Sequence, residues 1–306
     1  MRPLLPGAAG QVARRALALG LAALGPASLL AQPPIPTFSG GVEAVYVDAF
    51  VTHEGRPVLG LGADSFELKD QGKTQKLELV GVEDLPLTVF LVFDASGSVE
   101  GTRLANLRSA SEAFLAGLRP QDEIGLVSFS HELRLLAPPS TDRDVLRSAL
   151  RSMRAEGGTA FWDALHAGLT LLPGRTRGLV VAFSDGEDNL SVLEEKQVQE
   201  EARRSNAVVH VVGVAVPAGP QRRLEPEHVR ALRQAAEVTG GRYWTSDSPH
   251  RLTESFAAIA AAMNTRYVLR FEPSDPGASG WHRLDLRLRT AKGEVRARQG
   301  YFRTAR

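Results

Sequence analysis

The rhythm of hydrophobic and polar positions changes twice along this chain. From residue 42, VEAVYVDAFV alternates, with Val42, Ala44, Tyr46, Asp48 and Phe50 on one side and Glu43, Val45, Val47, Ala49 and Val51 on the other. That period of two is the signature of a strand with one face on a core. HEGRPV reads as a turn, and SFELKD, QGK and TQKLELVGV as a hairpin with Gly72 in its turn. The alternation stops at LPLTVFLVFD, where Leu87 to Phe93 are apolar apart from Thr88. Such a run suits a strand buried on both faces, as in a parallel sheet.

Beyond it, helical and strand patterns take turns. TRLANLRSASEAFLAGL, DRDVLRSALRSM, TAFWDALHAGLTLL, VLEEKQVQEEARRS, PEHVRALRQAAEVTG and RLTESFAAIAAAMN carry apolar residues at helical spacing, and Asp142 is placed to cap the second of these. DEIGLVSFS, RGLVVAFSDG, AVVHVVGVAV and RYWTS read as the intervening strands. Alternation of this kind predicts a doubly wound α/β domain, a mostly parallel sheet with helices on both faces. The period of two then returns in RYVLRFEP, WHRLDLRLRT and EVRARQGYF, with Leu284, Leu286 and Leu288 on one side of the middle segment. Neither flank is long enough for a comfortable sheet structure alone. The expected organisation is a signal peptide over 1–31, part of a β-sandwich over 40–85, the α/β domain over 86–264 inserted into it, and the rest of the sandwich over 265–306.

The N-terminal reading rests on Arg2, Arg14 and Arg15 ahead of ALALGLAALGPASLLA. Gly25 and Pro26 interrupt that run, it is short for a membrane span, and QPPIP cannot continue a helix. Cleavage after Ala31, or near Ala27, would leave an exported protein, periplasmic or secreted, with no transmembrane span. The 306 residues include no cysteine, which removes disulfides, thiolate metal sites and a lipid-anchored cysteine. With 36 Lys+Arg against 35 Asp+Glu, bulk charge gives no reason to expect nucleic acid as a partner.

The chemistry concentrates at strand ends. Asp94 closes the apolar run and is followed by Ser96 and Ser98; Asp185 stands at the end of VVAFSDGEDN; Thr159 lies in EGGTAFWDAL, just before a helix. Open α/β sheets bind ligands at the carboxyl ends of their strands. Oxygen-only donors suit a hard cation, Mg2+ first and Mn2+ second. No phosphate loop and no G-x-S-x-G nucleophile elbow is present.

Asp94-x-Ser96-x-Ser98, then Thr159, then Asp185, in that order and with the phrases GGTAFWDAL and SDGEDN around them, resembles the metal-ion-dependent adhesion site of von Willebrand factor type A domains. The flanks GRPVLGLGADSFELKDQGKTQKL and RYVLRFEPSDPGASGWHRLDLRLR resemble those of bacterial exported proteins related to that family. The resemblance implies a von Willebrand A, Rossmann-like fold. It implies that Ser96, Ser98 and Thr159 ligate the metal and that Asp94 and Asp185 act largely through water and hydrogen bonds. It further implies Mg2+, with Mn2+ or Ca2+ as substitutes, and a partner protein whose Asp or Glu carboxylate completes the shell. The expected function is a non-enzymatic, metal-dependent binding module; the alternatives are a metal-dependent hydrolase on the same sheet or a scaffold subunit of an envelope complex.

Other candidates read as structural. Glu187 and Asp188 are expected to bind loop backbone, and His210 to be a satisfied core histidine. His131, His166, His228 and His282 lack partners at metal spacing. At least one of Phe161 and Trp162 is expected to pack on the sheet, the other being free to stand beside the metal. PAGPQRRLEPEH reads as a surface loop, and the arginine-rich residues 266–306 as a solvated sheet face.

Overall fold

The computed structural model describes residues 44–81, 85–173, 177–184, 188–214, 226–274 and 279–303. The expected signal peptide lies outside these residues, as do Asp185 and Glu187. In chain order the N-terminal flank supplies β1 (Val45–His53), β2 (Arg56–Pro57), β3 (Phe66–Asp70), β4 (Lys73–Thr74) and β5 (Glu78–Val80). There follow β6 (Leu87–Asp94), α1 (Thr102–Ala116), β7 (Glu123–Phe129), β8 (Leu133–Ser140), α2 (Arg143–Ser152), α3 (Phe161–Thr170) and β9 (Arg177–Ser184). Next come α4 (Glu195–Arg204), β10 (Ala207–Val214), α5 (Glu227–Glu237), β11 (Arg242–Ser246) and α6 (Pro249–Asn264). The C-terminal flank adds β12 (Tyr267–Phe271), β13 (Gly280–Leu288), β14 (Glu294–Arg296) and β15 (Gly300–Arg303).

The apolar run becomes the centre of a six-stranded sheet of order β11-β10-β9-β6-β7-β8. Every residue of β6 is buried, and β6 runs parallel to both β7 and β9. Its side chains divide between two cores. Leu87, Val89, Leu91 and Phe93 belong to a core that includes residues of α1, α2 and α6, while Phe90 and Val92 belong to one that includes residues of α3, α4 and α5. Helices therefore cover both faces, as the strand–helix alternation requires. The edge strand β8, antiparallel to β7, has no counterpart in the pattern reading. It exposes Leu133 and Leu135 and carries Pro138 and Pro139, so neither periodicity nor burial marks it as a strand; prolines are tolerated on a sheet edge.

The flanking strands combine into a sheet of order β14-β1-β12-β5, with β2 on β1, and another of order β15-β13-β3-β4. Both sheets mix strands from before and after the α/β region. Between them Val47, Ala49, Val51, Phe66 and Leu68 pack with Tyr267, Leu269, Phe271, Leu284 and Tyr301. The β1 face read from alternation is thus the buried one. The expected hairpin is shorter than SFELKD…TQKLELVGV suggested. β3 and β4 turn at Gln71 and Gly72, whose φ values are 48° and 82°, but β5 leaves for the other sheet and pairs with β12.

One buried ionic cluster ties the flanks to the α/β region. Asp48 of β1 accepts hydrogen bonds from Arg177 Nε at 2.9 Å and Arg266 Nε at 2.7 Å. Arg177, at the start of β9, also donates to the carbonyl of Met263 at 3.2 Å, and Arg266, just after α6, to that of Gly240 at 3.1 Å. Burial would raise the Asp48 pKa, but the two guanidiniums outweigh it and hold the carboxyl below its ordinary value of 3.8. A depressed native pKa contributes stability that is present above the ordinary value and lost as pH falls through the native one. Asp48→Asn is expected to cost about 3–5 kcal/mol in urea unfolding near neutral pH. Between about pH 6 and about pH 3 the variant should lose less stability than the wild type. Parallel losses in the two proteins would show that Asp48 is not the group whose protonation matters.

Candidate metal site at the sheet edge

Asp94 ends β6 with its side chain fully buried, so its acceptor oxygens must be met from within the protein. The next loop and the next strand meet them. The Ser96 N–H donates to Oδ1 at 2.8 Å, and Ser184 Oγ donates to Oδ2 at 2.7 Å. Ser184 was not singled out from sequence. It is the last residue of β9, and the parallel register Phe93↔Phe183 sets it level with Asp94.

Ser96 leads into a 3-10 turn over Gly97–Val99, closed by the Val99 N–H on the Ser96 carbonyl at 3.1 Å. The turn folds the two hydroxyls together, with Ser96 Oγ and Ser98 Oγ 3.0 Å apart. The third loop is stitched to the first. Gly97 N–H donates to the Gly157 carbonyl at 3.0 Å and Glu156 N–H to that of Ala95 at 2.8 Å. Thr159 is buried beyond that stitch, its N–H on Asn189 Oδ1 at 2.9 Å and its carbonyl receiving the N–H groups of Asn189 and Leu190. The structure thus brings Asp94, Ser96, Ser98 and Thr159 to neighbouring, mutually bonded loops at one sheet edge. Asp185 directly follows Ser184 but lies outside the described residues.

These donors fit a hard cation. Neighbouring oxygens around an octahedral Mg2+ at about 2.1 Å stand about 3.0 Å apart, which is the separation of the two serine hydroxyls. Among the described residues no group of three or more His, Cys, Asp and Glu is placed to hold a metal.

Both loop glycines mark close approach. Gly157 has φ +75°, and a Cβ on it would fall 2.1 Å from His131 Nδ1. At Gly158 a Cβ would fall 2.7 Å from both Asn189 Oδ1 and Leu190 Cδ1. His131, unremarkable in sequence, is therefore a wall of the site, its Nδ1 3.3 Å from Ser130 Oγ. Asp188 does what was expected of it. Its carboxylate accepts from Trp162 N–H at 3.0 Å and from the Ser191 N–H and hydroxyl, pinning the loop to the start of α3. Phe161 and Trp162 are both buried, so neither stands free beside the site. His210 is buried in β10, and burial, assisted by the charge of Arg266, holds its pKa down at about 3. His282 pairs with Asp70 at 3.0 Å in the flanking sheets, and His166 with Glu201 at 2.5 Å on the helical surface.

Residues 89–187 match the model of the von Willebrand factor type A domain. A UPF0353 protein of Mycobacterium avium is 23% identical over 223 residues, covering 64% of this chain and 65% of that protein. Inter-alpha-trypsin inhibitor heavy chain H4 of Bos taurus is 29% identical over 135 residues, 40% of this chain but 15% of the bovine protein. The chain therefore spans less than two thirds of these relatives' own length. Among solved structures, a von Willebrand factor type A protein from Catenulispora acidiphila superposes with a TM-score of 0.53 at 14% identity, covering 85% of this chain and 73% of that one. The pilus adhesin SpaC of Lactobacillus rhamnosus GG, in an open conformation, gives 0.50 at 13% identity, covering 78% and 47%. The α/β region is a domain of the von Willebrand factor type A fold, carried between flanking sheets.

Gly157→Ala tests the loop geometry. A left-handed φ costs an alanine about 1–2 kcal/mol, and the His131 clash adds to it. Unfolding should show that loss, and His131→Ala in the same chain should recover the clash but not the backbone strain. A Gly157→Ala chain as stable as wild type would contradict the packing described.

Proposed function

We propose that this chain is an exported, metal-dependent protein-binding module of the adhesion type. Its cation, Mg2+ with Mn2+ or Ca2+ as substitutes, is held by Ser96, Ser98 and Thr159, with Asp94 and Asp185 orienting hydroxyls and waters. The carrying observation is the hydroxyl pair of Ser96 and Ser98, 3.0 Å apart beside the buried Asp94. Both Asp94 oxygens are engaged by Ser96 N–H and Ser184 Oγ, which supports an orienting role.

Neutral serine and threonine oxygens do little to offset the charge of a dication. Such a cation favours an anionic oxygen from outside, and the Asp or Glu carboxylate of a partner protein is the ligand proposed. No catalytic residue is assigned. His131, against the site, has its Nδ1 engaged with Ser130 and its Nε2 3.9 Å from Glu132 Oε1. Export is proposed from the arginine-flanked apolar stretch within residues 1–31. No helix among the described residues is long and apolar enough to cross a membrane. In this reading residues 86–264 do the binding, and 40–85 with 265–306 form the β-sandwich that carries them.

The test is capture from an envelope extract by immobilised wild type and Ser98→Ala, each in Mg2+ and in EDTA. Proteins retained by wild type in Mg2+ should be absent with EDTA and with Ser98→Ala. Amidating the extract's carboxylates beforehand should abolish their retention. Equal retention in EDTA, or after amidation, would refute carboxylate recognition through a metal.

A further inference from the structure

The segment from Asp188 to Leu193 is neither helix nor strand, yet every backbone N–H from Asn189 to Leu193 is hydrogen-bonded. Those of Asn189 and Leu190 donate to the Thr159 carbonyl at 3.0 and 3.1 Å. That of Ser191 donates to Asp188 Oδ1 at 3.1 Å. Those of Val192 and Leu193 donate to the two Asp163 oxygens at 2.9 and 2.8 Å. Asp163 stands in the first turn of α3, so the loop is tied both to Thr159 and to the helix that follows it.

What this fixed backbone holds in water is apolar. Leu190 is 48% exposed and Val192 89%. A single exposed leucine or valine is ordinary, but here two lie within three residues, beside the site. A Cβ on Gly158 would fall 2.7 Å from Leu190 Cδ1, so the leucine side chain lies against the residue before Thr159. The other rim, next to Gly157, is charged. There Arg134 pairs with Glu132 at 2.7 Å and with Glu156 at 3.5 Å, all three side chains about half exposed. The two sides of the Thr159 loop thus offer different surfaces.

We infer that Leu190 and Val192 set the specificity of the site: the partner carries a bulky apolar side chain next to the acidic residue that reaches the cation, and that side chain packs on this loop. The inference rests on the proposed metal site and narrows its ligand. While exposed, the two side chains contribute no burial to folding, and covering them on association removes apolar area from water. Because the loop is already ordered, covering it costs little further conformational entropy. A carboxylate alone discriminates poorly, since every acidic side chain offers the same group. An apolar contact on one side of it separates one acidic segment from another.

The test uses an array of short peptides, acetylated and amidated at their ends, each with one central Asp or Glu. The residues on either side of the acid are Gly, Ser, Lys, Leu or Phe in turn, and copies with Gln in place of the acid serve as blanks. The array is probed in Mg2+ and in EDTA with wild type, Leu190→Ser, Val192→Ser and Leu171→Ser, the last an exposed leucine at the far end of α3. Calorimetry gives the Mg2+ affinity of each chain. In Mg2+, wild type should hold peptides with Leu or Phe on one side of the acid at least about tenfold more tightly than Gly-flanked ones. Leu190→Ser and Val192→Ser should lose most of that preference at unchanged Mg2+ affinity, and Leu171→Ser should keep it. Equal retention of Gly- and Leu-flanked peptides, or a preference undiminished in both loop variants, would overturn the inference and leave the metal reading standing. No EDTA-sensitive retention of any acidic peptide would overturn both.

Discussion

A carboxylate fully enclosed at the end of a fully buried strand is the constraint on which the site depends. Asp94 is shut off from bulk solvent, so the fold must bring donors to it. One comes from the chain two residues on and one from the neighbouring parallel strand. Meeting the first bends residues 95–98 back on themselves, and the 3-10 turn that results faces Ser96 Oγ toward Ser98 Oγ. The turn brings the hydroxyls close enough to hydrogen-bond to one another at 3.0 Å. Hydrogen bonds from Gly97 and Glu156 extend that order to the Thr159 loop.

The flanking sheets face a different problem. Each flank offers strands whose partners lie on the far side of the α/β region, and β1 is completed by β12 and β14. Their core is apolar, while one contact between the flanks and the α/β domain is ionic and lies at Asp48, Arg177 and Arg266. A buried ionic junction adds little stability over an apolar one, but losing one partner of it is costly. Here its hydrogen bonds fix the start of β9 and the exit of α6 to the same strand. Elsewhere the C-terminal flank also meets the α/β domain, through Gln299 N–H on the Val238 carbonyl at 3.2 Å and through Trp281 and Phe302, which lie under the guanidiniums of Arg203 and Arg204 on α4.

Much of this was legible in the sequence because it is local or periodic. The run Leu87–Phe93 declares a strand buried on both faces, and the alternation around Val47, Ala49 and Val51 declares their common face. Asp94, Ser96, Ser98 and Thr159 were readable as strand-end and loop residues because their spacing is conspicuous. What escaped depends on distant partners. β8 is held by pairing with β7, against its prolines and exposed leucines. β5 looked like the return arm of a hairpin until β12 competed for it. Ser184 and His131 matter through a register and a glycine contact that no window of sequence contains.

The proposed function requires that hydroxyls beside a buried aspartate hold a dication. Calorimetric titration of Mg2+ into the wild-type chain and into Ser98→Ala addresses this directly, because Ser98 is exposed and its loss should leave the fold intact. One saturable site is expected in wild type and at least about a tenfold loss of affinity, about 1.4 kcal/mol, in the variant, with unchanged thermal unfolding of the metal-free proteins. Wild-type protein that takes up no Mg2+, or a Ser98→Ala chain that binds as tightly, would contradict it.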